Sequence, residues 1–106
     1  MISVNVSFIE NKVSSILITG HANQNDYGKD IVCAGVSTIV YGSINALDIH
    51  QKSNFKFDLK DGYTLIEILS NNDQIQLMLD MMLIQLKTLE EAYPKFIQIK
   101  QTHGGV

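Results

Sequence analysis

The strongest constraint on the fold is the alternation of apolar and polar side chains at the start of the chain. Residues 2 to 8 read ISVNVSF, so every second side chain is apolar, which is the pattern of a strand with one buried face. A turn is predicted at residues 10 to 12, and residues 13 to 19 predict a second strand that ends at Gly20. The chain is therefore predicted to open with a β-hairpin whose apolar face must be covered by other elements.

A long helix is predicted after this hairpin. Its apolar residues recur at three- and four-residue steps, which places the helix at about Ile31 to His50, with Asp30 as the N-cap. The helix also contains small residues, which allow another backbone to approach closely. These small residues are Ala34, Gly35, Gly42, Ser43 and Ala46. One face of the helix is therefore expected to be tightly packed.

The rest of the chain predicts a second hairpin, a second helix and a last strand. The two strands of the hairpin are placed at residues 55 to 58 and 63 to 69, the helix at residues 71 to 93, and the last strand at residues 96 to 99. Pro94 ends the second helix, and residues 102 to 106 are expected to be a flexible tail. The predicted fold class is α+β, with a single domain over residues 1 to 106, a mixed sheet, two helices and the element order ββαββαβ.

Composition limits the classes of function. The 106 residues suit one compact domain, and the net charge of −3 comes without a cluster of Lys or Arg, so direct nucleic-acid binding is not expected. The N-terminus lacks the features of a signal peptide, and we expect no stretch to reach the roughly 20 apolar residues of a membrane span. A cytoplasmic protein without membrane contact is therefore expected.

The single cysteine follows a polar segment, GHANQNDYGKDIVC, at residues 20 to 33. One cysteine and three scattered histidines form no compact ligand set, so neither a metal nor another cofactor is expected. Thiol chemistry uses the thiolate, and the unpaired N–H groups and positive dipole end of a helix start favour an anion at Cys33. The N–H groups of Cys33 and Ala34 are also expected to receive an oxyanion.

His21 begins this segment, where the second predicted strand ends. Strand ends and helix starts often share one edge of a sheet, so His21 is expected to face Cys33 and to act as its general base and acid. The polar residues between them favour a mobile flap over a peptide cleft. The residues assigned to this substrate loop are Asn23, Asp26, Tyr27 and Gly28.

Simpler interpretations compete with this constellation. A lone cysteine is most often a buried, inert side chain, and a lone histidine after a strand is most often structural. Asp30 is favoured as a helix cap over a third catalytic residue. Ser37 follows Cys33 by one helical turn, and it either meets the site or packs and back-bonds within the helix. These alternatives stay open at the level of residue patterns.

The motifs around Cys33 resemble those of a known family, the ribosomal-processing cysteine proteases called Prp. The matching residues are Gly20-His21-Ala22, Tyr27-Gly28, Asp30 to Gly35, Ser37, Gly42-Ser43 and Asn45-Ala46. This combination is specific, and a weaker likeness extends over nearly the whole chain. The resemblance implies a cysteine endopeptidase with Cys33 as the nucleophile and His21 as the general base and acid.

The resemblance also implies a substrate and a partner. The substrate is a bacterial large-subunit ribosomal protein whose N-terminal extension, ending in paired aromatic residues, is removed; the partner is a second copy in a homodimer. Two other classes are weighed against it: a non-catalytic, ribosome-associated dimeric binding module, and a redox sensor that uses Cys33 without a resolving cysteine. His21 separates them, because only proteolysis requires an imidazole beside the thiol.

Overall fold

The computed structural model describes residues 1–20 and 29–104. Within them, five strands and two helices follow each other in the order ββαββαβ, which confirms the predicted fold class. Their bounds are β1 Ile2–Ile9, β2 Lys12–Thr19, α1 Lys29–His50, β3 Phe55–Lys60, β4 Tyr63–Ile68, α2 Asp73–Ala92 and β5 Ile97–Gly104.

The five strands form one mixed sheet in the order β3-β4-β2-β1-β5. Neighbouring strands are antiparallel except β5, which runs parallel to β1. Glu10 and Asn11 form the first hairpin turn with positive φ values of 52° and 63°, because a two-residue type I′ turn matches the twist of the strands it joins. The second hairpin turns at Asp61 and Gly62, between the paired residues Lys60 and Tyr63.

The core lies between one face of the sheet and the two helices. Val4, Ile16 and Ile66 on three different strands have no exposed surface, and neither do Val32 of α1 and Leu79 of α2. The period-two alternation of the strands and the helical spacing of the apolar residues each direct these side chains to one side. The protein is therefore a two-layer structure with both helices on the same face of the sheet.

Helix α1 begins at Lys29, two residues before the predicted start, and ends at His50 as predicted. The prediction that Asp30 is the N-cap is wrong, because the backbone is already helical at Lys29. Asp30 instead lies in the first turn of the helix. This shift of the helix start changes which backbone N–H groups are free near Cys33.

Helix α1 also corrects the expectation about apolar stretches. Residues Ile31–His50 are long and apolar enough to cross a membrane by length and composition. Val32, Val36, Val40 and Leu47 are instead buried in the core. Core helices of soluble proteins pass the same criterion, so α1 carries no membrane assignment.

The small residues of α1 do not form one tightly packed face, which corrects that prediction. A Cβ on Gly35 would lie 3.1 Å from Leu89 Cδ2 of α2, so the two helices approach closely there. Gly42 follows two turns later on the same side of α1, yet a Cβ there would meet nothing within 4 Å. The space between the helices therefore opens along α1 into a groove that Ser43 and Ala46 also line.

A buried glutamine joins the C-terminal end of α1 to the start of α2. Gln51 is 4% exposed; its Nε2 donates to Gln74 Oε1 at 2.7 Å, and its Oε1 accepts hydrogen bonds of 2.9 Å from Asn54 and Asn72. Asn72 is the N-cap of α2, and its Oδ1 accepts a hydrogen bond of 2.8 Å from the Ile75 N–H. The three bonds to Gln51 give partners to both the nitrogen and the oxygen of its buried amide, which joins the two helices at this end of the molecule.

The C-terminal segment is a strand, rather than the predicted flexible tail, as far as Gly104. Thr102 pairs with Ser7 and His103 with Phe8 in the parallel register between β5 and β1. The rings of His103 and Phe8 also stack with their centroids 4.7 Å apart. The prediction failed because the segment is polar and has no apolar alternation, while its strand geometry comes from backbone pairing with β1. Residues 105 and 106 lie outside the described part of the chain.

Candidate active site

Gly20 fixes the backbone at the residue immediately before His21. Its φ is +102°, and a Cβ there would collide with the carbonyl oxygen of Met1, so only glycine fits without strain. Its N–H donates a hydrogen bond of 3.1 Å to the carbonyl oxygen of Gly62. The end of β2 is therefore held between the N-terminal residue and the β3–β4 turn.

Cys33 lies on the wall of a cleft of about 180 Å³. The residue is half-buried, and Ser37 and Tyr41 follow it at one and two helical turns, so one face of α1 brings all three to the cleft. Gly20 lines the same cleft from the end of β2. The end of β2 and the start of α1 therefore open onto one shared space.

The opposite wall of the cleft is the turn between β3 and β4. Lys60, Asp61 and Gly62 line it, and the Lys60 Nζ lies 3.3 Å from Asp58 Oδ2 and 5.4 Å from the centroid of the Tyr63 ring. The floor is apolar and consists of Ile2, Ile18, Val36 and Val40. A polar rim around an apolar floor suits a peptide, whose backbone is polar and whose side chains need apolar contacts.

Several predicted site residues belong to the segment that the structure leaves undescribed. They are His21, Asn23, Asp26, Tyr27 and Gly28. Their roles as base and as substrate loop therefore stay predictions. The described chain leads into this segment from Gly20, at the cleft.

The early start of α1 changes the predicted oxyanion site. Cys33 is the fifth residue of α1, and in a regular helix the N–H of the fifth residue donates to the carbonyl of the first. The N–H groups of Cys33 and Ala34 are therefore used inside the helix and are not the free donors that the sequence predicted. The unpaired N–H groups belong to the first turn, which contains Asp30.

Ser37 differs from the other hydroxyl residues on α1. Thr38 Oγ1 donates to the Ala34 carbonyl oxygen at 2.8 Å, and Ser43 Oγ donates to that of Ile39 at 2.6 Å. Among the residues that the structure describes, no hydrogen bond of the Ser37 hydroxyl is found, although this exposed side chain lines the Cys33 cleft. The back-bonding alternative for Ser37 is therefore not observed in the described part of the chain, and the residue instead lines the cleft.

Other surface features do not compete with this cleft. The groove between α1 and α2, of about 250 Å³, is lined by Met78, Met81 and Met82 and includes no cysteine or histidine. In the described ranges, no group of three or more His, Cys, Asp or Glu residues is placed to hold a metal ion. The only cysteine of the chain thus marks the candidate active site.

Sequence reasoning missed the far wall of the cleft. In the sequence, residues 60 to 62 have only the composition of a hairpin turn, and Thr64 belongs to a predicted strand. Pairing of β2 with β4, in which Ile18 lies opposite Thr64, brings them to the site. One signal was present for Tyr41, which follows Cys33 by eight residues and so lies on the same side of the helix.

Known proteins share both the sequence and the fold. Residues 1–98 match the family described as cysteine protease Prp. The chain belongs to this family. It is 38% identical to the ribosomal processing cysteine protease Prp of Staphylococcus aureus strain Mu50 over 103 residues, which cover 93% of this chain and 97% of that protein. The protein of the same name from Bacillus subtilis strain 168 is 31% identical over 94 residues, covering 82% of this chain and 84% of its own.

Solved structures of the Prp family have the same fold. The S. aureus protease in complex with a substrate peptide has a TM-score of 0.88 at 35% identity, covering 96% of this chain and 100% of that chain. The S. aureus protease with a covalently linked product peptide has a TM-score of 0.87 at 36% identity, with the same coverage. Family membership confirms the resemblance of the motifs, and the protein is a cysteine protease.

Proposed function

We propose that this protease removes the N-terminal extension of a bacterial large-subunit ribosomal protein, with Cys33 as the nucleophile and His21 as the general base and acid. The observation that carries the proposal is the shared cleft: Cys33 and Gly20, the residue before His21, line the same space. The name of the S. aureus relative, a ribosomal processing protease, supports the class of substrate. Its complex with a covalently linked product peptide supports covalent catalysis.

The chemical steps follow from these two side chains. His21 takes the proton of the Cys33 thiol, and the thiolate attacks the scissile carbonyl carbon to form a tetrahedral oxyanion. When that intermediate collapses, the C–N bond breaks and the protonated imidazole gives its proton to the leaving amine. His21 then takes a proton from a water molecule that attacks the thioester carbonyl carbon. The C–S bond breaks, the acid is released, and the imidazole returns its proton to the Cys33 thiolate, which restores the thiol.

Other predicted residues have supporting roles in this proposal. Asp30, in the first turn of α1, and Ser37, on the cleft wall, act on the orientation of the imidazole or the substrate. Asn23, Asp26, Tyr27 and Gly28 form the loop that covers the bound peptide. The paired aromatic residues at the end of the extension provide the apolar side chains that an apolar cleft floor can bury.

The proposal includes a homodimer in the cytoplasm, where ribosomal proteins are processed. The outer side of the helical layer supports a partner copy, because α2 exposes Leu77, Met81 and Ile84 by 69%, 65% and 55%. Exposed apolar side chains grouped on one helix are typical of an interface. Sedimentation analysis of Met81→Asp beside the wild type tests it, and an unchanged oligomeric state would exclude this helix as the interface.

A cleavage assay separates the protease from a binding module. The substrate is a peptide with the extension, its two aromatic residues and the first residues of the mature ribosomal protein. Mass spectrometry should find one cut after the aromatic pair with wild type, and none with Cys33→Ala. The same peptide with both aromatics changed to Ser is the control. Binding of the peptide by both proteins without any cut would favour the non-catalytic module instead.

A further inference from the structure

The edge strand β3 exposes large apolar side chains on the core side of the sheet. Phe57 is 47% exposed and Leu59 is 40% exposed, whereas Phe55 at the start of the strand is only 5% exposed. The Phe55 and Phe57 rings lie with centroids 6.0 Å apart. The apolar row thus leaves the core at Phe55 and continues into solvent through Phe57 and Leu59.

The direction of these side chains follows from the strand pairing. Phe57 lies opposite Ile66, and Leu59 lies opposite Thr64; both partners are buried under the helical layer. Directly paired residues share a face of the sheet. Phe57 and Leu59 therefore face the side on which the helices pack, at an edge that the helices leave uncovered.

The other face of β3 has the polar character expected of a solvent-exposed surface. Lys56 Nζ lies 3.8 Å from Glu67 Oε1 across the hairpin, and Lys60 Nζ lies 3.3 Å from Asp58 Oδ2. Charged residues on an edge strand protect against unwanted strand pairing. Only one face of β3 therefore exposes large apolar side chains. Such an exposed apolar patch is typical of a surface that binds a ligand.

This apolar row is continuous with the Cys33 cleft. Thr64, the pairing partner of Leu59, lines the cleft, and so does Lys60, the next residue along β3. Tyr41, 48% exposed, lines the cleft from the α1 side. A chain that leaves the cleft past Thr64 therefore reaches Leu59 first and Phe57 next.

We propose that Phe57, Leu59 and Tyr41 form an apolar shelf that binds an extended segment of the peptide substrate adjoining the scissile bond, through apolar side chains two residues apart. The inference rests on the proposed protease function and adds to it the residues that select the substrate. Phe57 and Leu59 are themselves two residues apart on a strand, a spacing of about 6.6 Å. Side chains at alternate positions of an extended peptide have the same spacing, so both contacts form at once.

The test compares Leu59→Ser with Ile49→Ser, a matched change of an exposed apolar residue near the C-terminal end of α1. The substrates are the parent peptide and a set of variants, in each of which one residue near the scissile bond is changed to Ser. For the parent peptide, Leu59→Ser should raise KM about tenfold with kcat nearly unchanged, as expected for losing burial of one apolar side chain. Ile49→Ser should leave KM unchanged, and Leu59→Met should keep KM close to the wild-type value.

The peptide residue that contacts Leu59 is identified by double-mutant analysis. At that position, the effects of the protein change and of the peptide change on the free energy derived from KM are no longer additive. For the peptide lacking the side chain that meets Leu59, wild type and Leu59→Ser should differ less than twofold in KM. Phe57→Ser should show the same loss of additivity two peptide residues farther from the cut. Circular dichroism of each variant checks the fold, since the Phe55 and Phe57 rings contact each other.

Three outcomes would overturn the inference or the function separately. Normal cleavage with unchanged KM for every peptide in both Leu59→Ser and Phe57→Ser would exclude the shelf and leave the protease function intact. Loss of a dimer in these variants, with KM unchanged, would assign the shelf to a second copy. If the wild type cuts no peptide, the proposed function fails. Fluorescence anisotropy then tests whether adding Leu59→Ser to the Cys33→Ala protein weakens its binding of the peptide. Equal binding by the two proteins would exclude the shelf as well.

Discussion

The two ends of helix α1 are built for different purposes. At the C-terminal end, the Gln51 side chain is buried and bonded through both its amide nitrogen and its amide oxygen. At the N-terminal end, Cys33 is half-buried and the Ser37 hydroxyl beside it has no hydrogen bond among the described residues. The helix of 22 residues separates these ends by about 30 Å.

This contrast explains how a small domain holds a reactive site. Groups that are to meet a substrate must keep unused hydrogen-bonding capacity, which contributes nothing to folding. Stability therefore comes from the far end and from the core, and the cleft end is positioned by them. Changes at the Gln51 end should affect stability, and changes at the Cys33 end should affect catalysis.

The largest expected effect is at the cleft end. His21→Ala should lower kcat for the peptide by about 10²- to 10⁴-fold, because the thiol loses its proton acceptor and the leaving amine loses its proton donor. Urea unfolding should be nearly unchanged. Iodoacetamide labelling of Cys33 near neutral pH should also slow in this variant. A His21→Ala protein with close to normal turnover, still blocked by Cys33→Ala, would require a different base.

The opposite pattern is expected at Gln51. Gln51→Leu removes the hydrogen bonds of this buried amide to Gln74, Asn54 and Asn72, which should lower the free energy of unfolding by about 1 to 3 kcal/mol. The kcat of the folded fraction should stay within twofold of wild type. Gln85→Leu is the control, since Gln85 is exposed and its side-chain amide donates to the Met81 carbonyl oxygen of the same helix. A large loss of kcat in Gln51→Leu at full folding would show that the two ends are coupled.

A smaller effect tests whether the Ser37 hydroxyl at the cleft takes part in the reaction. Ser37→Ala should reduce kcat/KM by about threefold to tenfold, as expected for the loss of one hydrogen bond to a ligand or to His21. Thr38→Ala, at the next position, removes a hydroxyl that is already bonded to the Ala34 carbonyl oxygen and should leave kcat/KM unchanged. Equal activity of both variants with the wild type would make Ser37 a surface residue without a role in the reaction.

The sequence predicted most of the fold because its periodic patterns are long. The bounds of β2 and α2 lie within about two residues of the structure, since apolar spacing decides them. Two predictions were wrong for physical reasons. The end of β5 is polar and owes its strand geometry to pairing with β1. Asp30 is a residue type that favours the N-cap, but the helix begins one residue before it.

The site was predictable only where its residues lie close in the sequence. Cys33 and the end of β2 were identified from one short segment, and the structure opens both onto one cleft. Lys60, Gly62 and Thr64 reach the site through the β2–β4 and β3–β4 pairings, and Leu59 lies opposite Thr64 in the second of these. No local pattern records such contacts between distant segments, so this wall emerged only from the sheet.

The smallest expected effect separates two glycines on the same side of α1. Gly42→Ala should raise the free energy of unfolding by up to about 1 kcal/mol, because alanine favours the helix and its Cβ meets open space. Gly35→Ala gains the same helix propensity, but its Cβ would lie 3.1 and 3.3 Å from the two terminal carbons of Leu89. Leu89 must shift, and this overpacking should cancel the gain or reverse it. Urea unfolding of both variants at one protein concentration, with the oligomeric state checked by sedimentation, measures the difference. Equal stabilisation by both changes would show that α1 and α2 are no closer at the Cys33 end than beside the groove.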